Sequence, residues 1–157
     1  MKITLLTVGK TEDAYIKEGI EKYVKRLKHY TKLELVDLPE LKNTKALTQE
    51  QQKLKEAELI LKKITPLDYV ILLDEKGLEL SSTQFAELIN KRSVSSSANI
   101  IFVVGGPYGF DAIVYQRAND KLSLSRMTFS HQMVRLFFVE QLYRAYTIIK
   151  GEPYHHS

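Results

Sequence analysis

Few stretches of this chain carry side chains able to do chemistry, and most of them lie in its last third. An apolar run, Asn99-Ile-Ile-Phe-Val-Val104, breaks into Gly105-Gly106-Pro107-Tyr108-Gly109. After a short helical pattern comes Lys121-Leu-Ser-Leu-Ser-Arg-Met-Thr-Phe-Ser-His131, and Arg135 follows one helical turn later. The chain closes on Gly151-Glu-Pro-Tyr-His-His-Ser157. A glycine pair lets a ligand lie against the backbone. The loop is not G-x-G-x-x-G, no Lys-Ser/Thr follows at Walker spacing, and Pro107 has no N–H to offer a phosphate. It suits a nucleoside held by backbone groups better than a pyrophosphate; a plain glycine-rich turn fits equally well. His131 reads as a helix cap, a satisfied core residue or a substrate-handling group. Arg135 can hold a phosphate or offset negative charge; its bland alternative is an ion pair with Glu140 or a partner's carboxylate. Glu140 and Arg144 read as a structural pair. Tyr154 can stack on a base, and His155 can move a proton near neutral pH. The alternative for both is a frayed end.

The elements that must position these groups follow from periodicity. Lys2–Val8 alternates and reads as a strand, and Lys32–Leu38 as a second. Asp68–Asp74 is apolar enough for a central strand, with Leu73 and Asp74 at its carboxyl end. The run ending at Val104 is β-branched and apolar on both faces, as in a buried parallel strand. Residues 121–124 form a short fifth strand. Helical spacing covers Glu12–Tyr30, a stretch from Thr48 to Pro66, one opened by Ser81, a short one at Asp111–Ala118, and Gln132–Lys150. Thr48 with Gln51 and Ser81 with Gln84 are capping-box pairs. Gly151 stops the last helix. Alternating strands and helices predict an α/β fold, a parallel sheet with helices on both faces. From these rules alone the sheet would be an open Rossmann-like or flavodoxin-like one, without a knot.

Composition narrows the class. The 157 residues fit one domain. No cysteine is present, which excludes disulfides and thiolate metal sites, and no metal is expected. No apolar stretch reaches membrane-spanning length, so no membrane partner is expected. The amino terminus enters a strand pattern directly, so a cytoplasmic protein is expected. The net charge of +4 permits RNA binding without demanding it. Its excess lies within residues 1–66, where Lys22, Lys25, Arg26 and Lys28 can touch phosphate or simply form a solvated helix face. Gln132–Lys150 is apolar most of the way round. That predicts a second buried face, most simply a subunit interface through Phe137, Phe138 or Tyr146. A non-enzymatic binding module and a nucleotide-binding oxidoreductase or hydrolase of flavodoxin-like build stay open on these readings.

The strand into Gly-Gly-Pro-x-Gly, then Leu122-Ser-Leu-Ser125, Met127-Thr-Phe-x-His131, Val134-Arg135, Glu140-Gln-Leu-Tyr-Arg-Ala145 and Pro153-Tyr-His155, resembles the RlmH family. These are small SPOUT-class methyltransferases that methylate N3 of pseudouridine 1915 in 23S ribosomal RNA. The resemblance spans the whole chain as one domain, residues 1–157. It implies a carboxyl-terminal trefoil knot over about residues 98–150, with the chain after Phe129 threading under Gly105–Gly109. It implies S-adenosylmethionine held by Leu73, Gly105 and the run Leu124, Ser125, Arg126, Met127, Thr128 and Phe129. It also implies a homodimer acting on 23S rRNA in the assembled ribosome, which would explain the lack of an appended RNA-binding domain. His131, Arg135, Tyr154 and His155 then become candidates for handling the base, whose N3 carries an imide proton. One position departs from the family: His156 stands where Arg or Lys is usual, so any grip on phosphate there should weaken as His156 loses its proton.

Overall fold

The computed structural model describes residues 1–156. Five strands form one wholly parallel sheet: β1 (Lys2–Val8), β2 (Lys32–Leu38), β3 (Tyr69–Glu79), β4 (Ile100–Val104) and β5 (Asp120–Ser123). Between and after them run α1 (Ala14–Leu27), α2 (Gln49–Lys62), α3 (Ser82–Ser95), α4 (Ala112–Arg117) and α5 (Met133–Lys150). The expected alternation and parallel sheet are present. The strand order is β2-β1-β4-β3-β5. It is neither the Rossmann nor the flavodoxin order, because β4 lies between β1 and β3 and both its neighbours precede it in sequence. That central place explains why all five residues of β4 are buried.

Period-two alternation divides the core. Ile3, Leu5, Ile71, Ile100, Phe102 and Val104 face α1, α3 and α5. Leu6, Val8, Val70, Leu72, Ile101 and Val103 face α2 and α4. Both capping boxes form as expected, Thr48 with Gln51 and Ser81 with Gln84. Gly151 ends α5 at φ 68, the left-handed conformation that glycine adopts without strain.

Three boundary differences bear on the site. α1 begins at Ala14, not Glu12, because the Glu12 amide donates to Gln132 Oε1 at 2.8 Å. β3 does not stop at Asp74. It continues to Glu79, since Leu78 and Glu79 pair with Leu122 and Ser123 beyond an irregularity that starts at Leu73. Leu73 and Asp74 therefore stand at a break in the ladder, not at a strand end. α5 begins at Met133, and Ser130 Oγ accepts from its amide at 3.0 Å, so Ser130 and not His131 does the capping.

The apolar excess of α5 has an explanation inside the chain. Phe138 and Tyr146 pack in the core with α1, α3 and the sheet, so neither is available to a partner as expected. Phe137 alone of the three is exposed, at 39%, with its ring 4.7 Å from that of Phe129.

Candidate active site

The break in β3 and the irregular chain after β5 enclose a small cavity. Its walls are Leu73, Asp74, Glu75, Leu122, Leu124, Ser125, Met127, Thr128, Phe129 and Val134. A cleft of about 270 Å³ between α3, β5 and α5 shares Leu122, Leu124 and Phe129 with it. Six of the eight residues expected around a cofactor thus line one cavity. Gly105 lies beside it, since Val104 pairs with Leu73 across the sheet. Arg126 does not line it: its side chain is 85% exposed and 3.7 Å from Glu79.

Residues 124–132 form no regular helix or strand, so their backbone groups are not committed to a ladder. Local side chains shape the segment. Ser123 Oγ donates to the Ser125 carbonyl at 2.9 Å, and Ser125 Oγ accepts from the Met127 amide at 2.9 Å. Thr128 Oγ1 donates to Glu75 Oε2 at 2.6 Å, tying the segment to β3. Asp74 accepts from the Tyr115 hydroxyl. Burial, then this bond to the Asp74 carboxylate, pushes the Tyr115 phenol far above its ordinary range. The result is an apolar slot with two carboxylates at one edge, a setting for a nucleoside that carries positive charge. Sequence reading placed Asp74 beside the ligand crevice but missed Glu75, because Glu75-Lys-Gly77 looked like a strand terminus.

Gly105 is also constrained from within. A Cβ there would meet the Phe110 ring at 3.1 Å, so a larger residue would disturb the loop itself as well as any ligand. A Cβ on Gly106 would lie 2.6 Å from Glu56 Oε1. Glu56 is 4% exposed, and that oxygen has no partner among the described residues. Burial raises its pKa, opposed by a hydrogen bond from Gln52 at 3.3 Å.

Arg135 is 1% exposed. Nη2 donates to the Val8 carbonyl at 3.0 Å, Nη1 to the Gly9 carbonyl at 2.9 Å and to Thr11 Oγ1 at 3.2 Å, and Nε to the His131 carbonyl at 3.0 Å. Asp37, at 3.9 Å, is its carboxylate neighbour, not Glu140. Burial lowers the Arg135 pKa while Asp37 opposes that shift; a guanidinium stays charged regardless. The side chain caps the carboxyl end of β1 and fixes the backbone of His131, and none of its nitrogens faces open space. Gln132, buried beside it, donates to the Lys10 carbonyl at 2.9 Å and completes the brace. His131 itself is half-buried and its ring makes no hydrogen bond among the described residues.

Tyr154 and His155 lie at the other end of α5, folded back onto their own chain. The Tyr154 ring meets Tyr143 edge-on at 4.7 Å, and its hydroxyl donates to Glu140 Oε1 at 3.0 Å. Arg144 donates to the same carboxylate oxygen at 2.5 Å, the structural pair expected from sequence. Burial first, then Tyr23 and Glu140, push the Tyr154 phenol far above its ordinary range. Glu152 accepts from the Tyr30 hydroxyl at 2.5 Å and pushes that phenol up to about 12. The four candidate side chains are thus divided between the two ends of one helix.

Comparison with known proteins agrees with this geometry. The family described as "Predicted SPOUT methyltransferase" matches residues 1–155. The chain is 57% identical over 156 residues to the ribosomal RNA large subunit methyltransferase H of Cytophaga hutchinsonii, covering 99% of this chain and 100% of that protein. It is 55% identical over 156 residues to the protein of the same name from Christiangramia forsetii, covering 99% of each. With that of Parabacteroides distasonis it shares 53% identity over the full length of both. A match of this extent, over an apolar slot at the break in a parallel sheet, is decisive: the chain belongs to the SPOUT methyltransferase family.

Proposed function

We propose that this methyltransferase transfers the methyl group of S-adenosylmethionine to N3 of pseudouridine 1915 in 23S ribosomal RNA, acting in the cytoplasm on the assembled ribosome. The observation that carries the reading is the slot between β3, β5 and residues 124–129, where the donor's chemistry fits the residues present. S-adenosylmethionine supplies an electrophilic methyl group on a positively charged sulfur. Leu73, Leu124, Met127 and Phe129 offer apolar walls to its adenosine. The uncommitted backbone of 124–129 and the Gly105 backbone can read the base edge. Asp74 and Glu75 complement its positive charge at the rim. The chain's main task is alignment, since the donor needs little acid–base help. The exposed side chain of Arg126, only loosely paired with Glu79 at 3.7 Å, can turn to RNA phosphate.

His131 of one copy and the tail of its partner copy handle the target base, with Arg135 holding the His131 backbone in place. Phe137 and the 76% exposed Met127 flank the slot and are covered by a second copy in a homodimer. The family also implies a trefoil knot formed by residues 98–150, consistent with a chain that leaves β5 at one sheet edge and is braced at β1 by Gln132 and Arg135. Among the described residues no helix is long and apolar enough to cross a membrane, and no cluster of acidic or imidazole groups could hold a metal.

Mass spectrometry of large-subunit RNA from cells lacking this protein tests the reading. One methyl group should disappear from position 1915 and return when purified protein and S-adenosylmethionine are added to those ribosomes. An unchanged 1915 nucleoside would overturn it.

A further inference from the structure

The tail closes a chain of hydrogen bonds whose donors and acceptors can be assigned one by one. Arg144 can only donate. Its Nη1 lies 3.1 Å from His155 Nδ1, so that ring nitrogen accepts and carries no proton. Its Nη2 donates to Glu140 Oε1. The same oxygen takes the one hydroxyl proton of Tyr154, so in the 3.3 Å contact between Tyr23 and Tyr154 the donor is Tyr23. The Arg144 guanidinium also lies 4.8 Å from the centre of the Tyr154 ring. Each of these four contacts from Tyr23 to His155 Nδ1 thus has an assigned donor and acceptor.

A neutral imidazole has one N–H. With Nδ1 bare, the proton is on Nε2, which makes no hydrogen bond among the described residues. We infer that Glu140 and Arg144 are positioning residues that hold His155 in the Nε2–H tautomer, so that His155 meets the target base as a hydrogen-bond donor to an imide carbonyl and does not remove the imide proton. This rests on the tail being part of the substrate site.

The chemistry suits a donor. N3 of the base lies between two carbonyl groups, and negative charge spreads onto their oxygens as the N3 proton leaves. A donor already aimed at one of those oxygens stabilises the charge as it develops. In the transfer, the N3 electron pair forms the new N–C bond. The S–C bond breaks with its pair staying on sulfur, which becomes a neutral thioether. The N3 proton passes to solvent water, and His155 keeps its own proton throughout. The Tyr154 hydroxyl is committed to Glu140, so Tyr154 anchors the tail and the free edge of His155 does the recognition.

Long-range proton–nitrogen NMR spectra of the full chain, recorded where the ring is neutral, read the tautomer directly. Nδ1 should give the bare-nitrogen signal. Arg144→Met should move both ring nitrogens towards a tautomer mixture, and Arg144→Lys, which keeps a donor, should restore the single form in part. Activity on ribosomes supplies the second arm. His155→Ala should lose about a hundredfold to a thousandfold, the usual cost of one charge-stabilising donor. His155→Gln places an amide N–H near the Nε2 position but cannot take up a proton, and should stay within about tenfold of wild type. A protonated Nδ1, or a glutamine variant as inactive as the alanine one, overturns the inference. Full activity in His155→Ala would strike the tail reading itself, and the spectra tell those two failures apart.

Discussion

α5 carries a His and an Arg near each end, and the two ends use them in opposite ways. At the amino-terminal end Arg135 is buried and spends its guanidinium on the carbonyls of Val8, Gly9 and His131. At the carboxyl-terminal end the half-buried Arg144 spends its own on a carboxylate and an imidazole. Carbonyls do not titrate, so the first arrangement fixes backbone. The second fixes the protonation pattern of side chains and leaves one ring edge available. The lesson is that an arginine's partners, more than its charge, say whether it serves the fold or the reaction.

Removing residues 152–157 should break the comparison most visibly. Methyl transfer to ribosomes should fall by about a hundredfold to a thousandfold or more, while cofactor binding measured by calorimetry stays as in wild type. A truncated enzyme at full rate would make the carboxyl-terminal end structural too, and leave the base to His131.

Next in size is a matched pair of substitutions. Arg135→Met strands buried carbonyls and should cost about 3 kcal/mol or more in urea unfolding. Arg144→Met, with partly exposed partners, should cost about 1 kcal/mol or less yet lose most activity. Equal losses of stability would erase the distinction. Phe137, on the exposed side of the same helix, supplies a third readout. Phe137→Ser should weaken self-association in light scattering by about tenfold, the scale of losing roughly half an aromatic side chain's burial. It should leave unfolding of the monomer nearly unchanged.

The smallest effect sharpens the comparison from the opposite face of the sheet. Glu56 is buried like Arg135 but lacks Arg135's set of partners. Its folded-state pKa is raised by burial, so its contribution to stability is full below the ordinary carboxylate range and lost as pH rises through the raised value. Glu56→Gln resembles the protonated form. It should gain about 1 kcal/mol over wild type at neutral pH and nothing in acid. A gain that persists in acid would mean that packing, not charge, limits this site.

Much of this was legible in the sequence, and the exceptions have physical causes. Capping boxes, the αL glycine and the central apolar strand are local patterns, and each appears where expected. The proposed cofactor slot was expected only from a family motif, since Leu73 and the segment after β5 are brought together by the pairing of β3 with β5. Arg135 reads from its charge as a ligand for phosphate, whereas the structure buries it against the end of β1. It lies on the stripe of Phe138, Val139 and Leu142, all buried, and that spacing was the available signal. Strand order and the extension of β3 depend on pairings between distant segments, which no local pattern encodes. The tail's hydrogen-bond chain joins Tyr23 to Tyr154 across the whole sequence and was invisible for the same reason.

The brace at Arg135 also has a consequence in time. It joins Val8 and Gly9 to a residue that follows them by 127 and 126 positions. At the ordinary pace of synthesis, the ribosome needs roughly 6 to 25 s to add that many residues. Through that interval the carboxyl end of β1 has no guanidinium, and α1 lacks the helix it packs against. The nascent chain therefore stays open along the part of that sheet face which α5 covers, between α1 and α3, until this helix leaves the exit tunnel. Emergence of α5, not completion of any strand, starts the final closure.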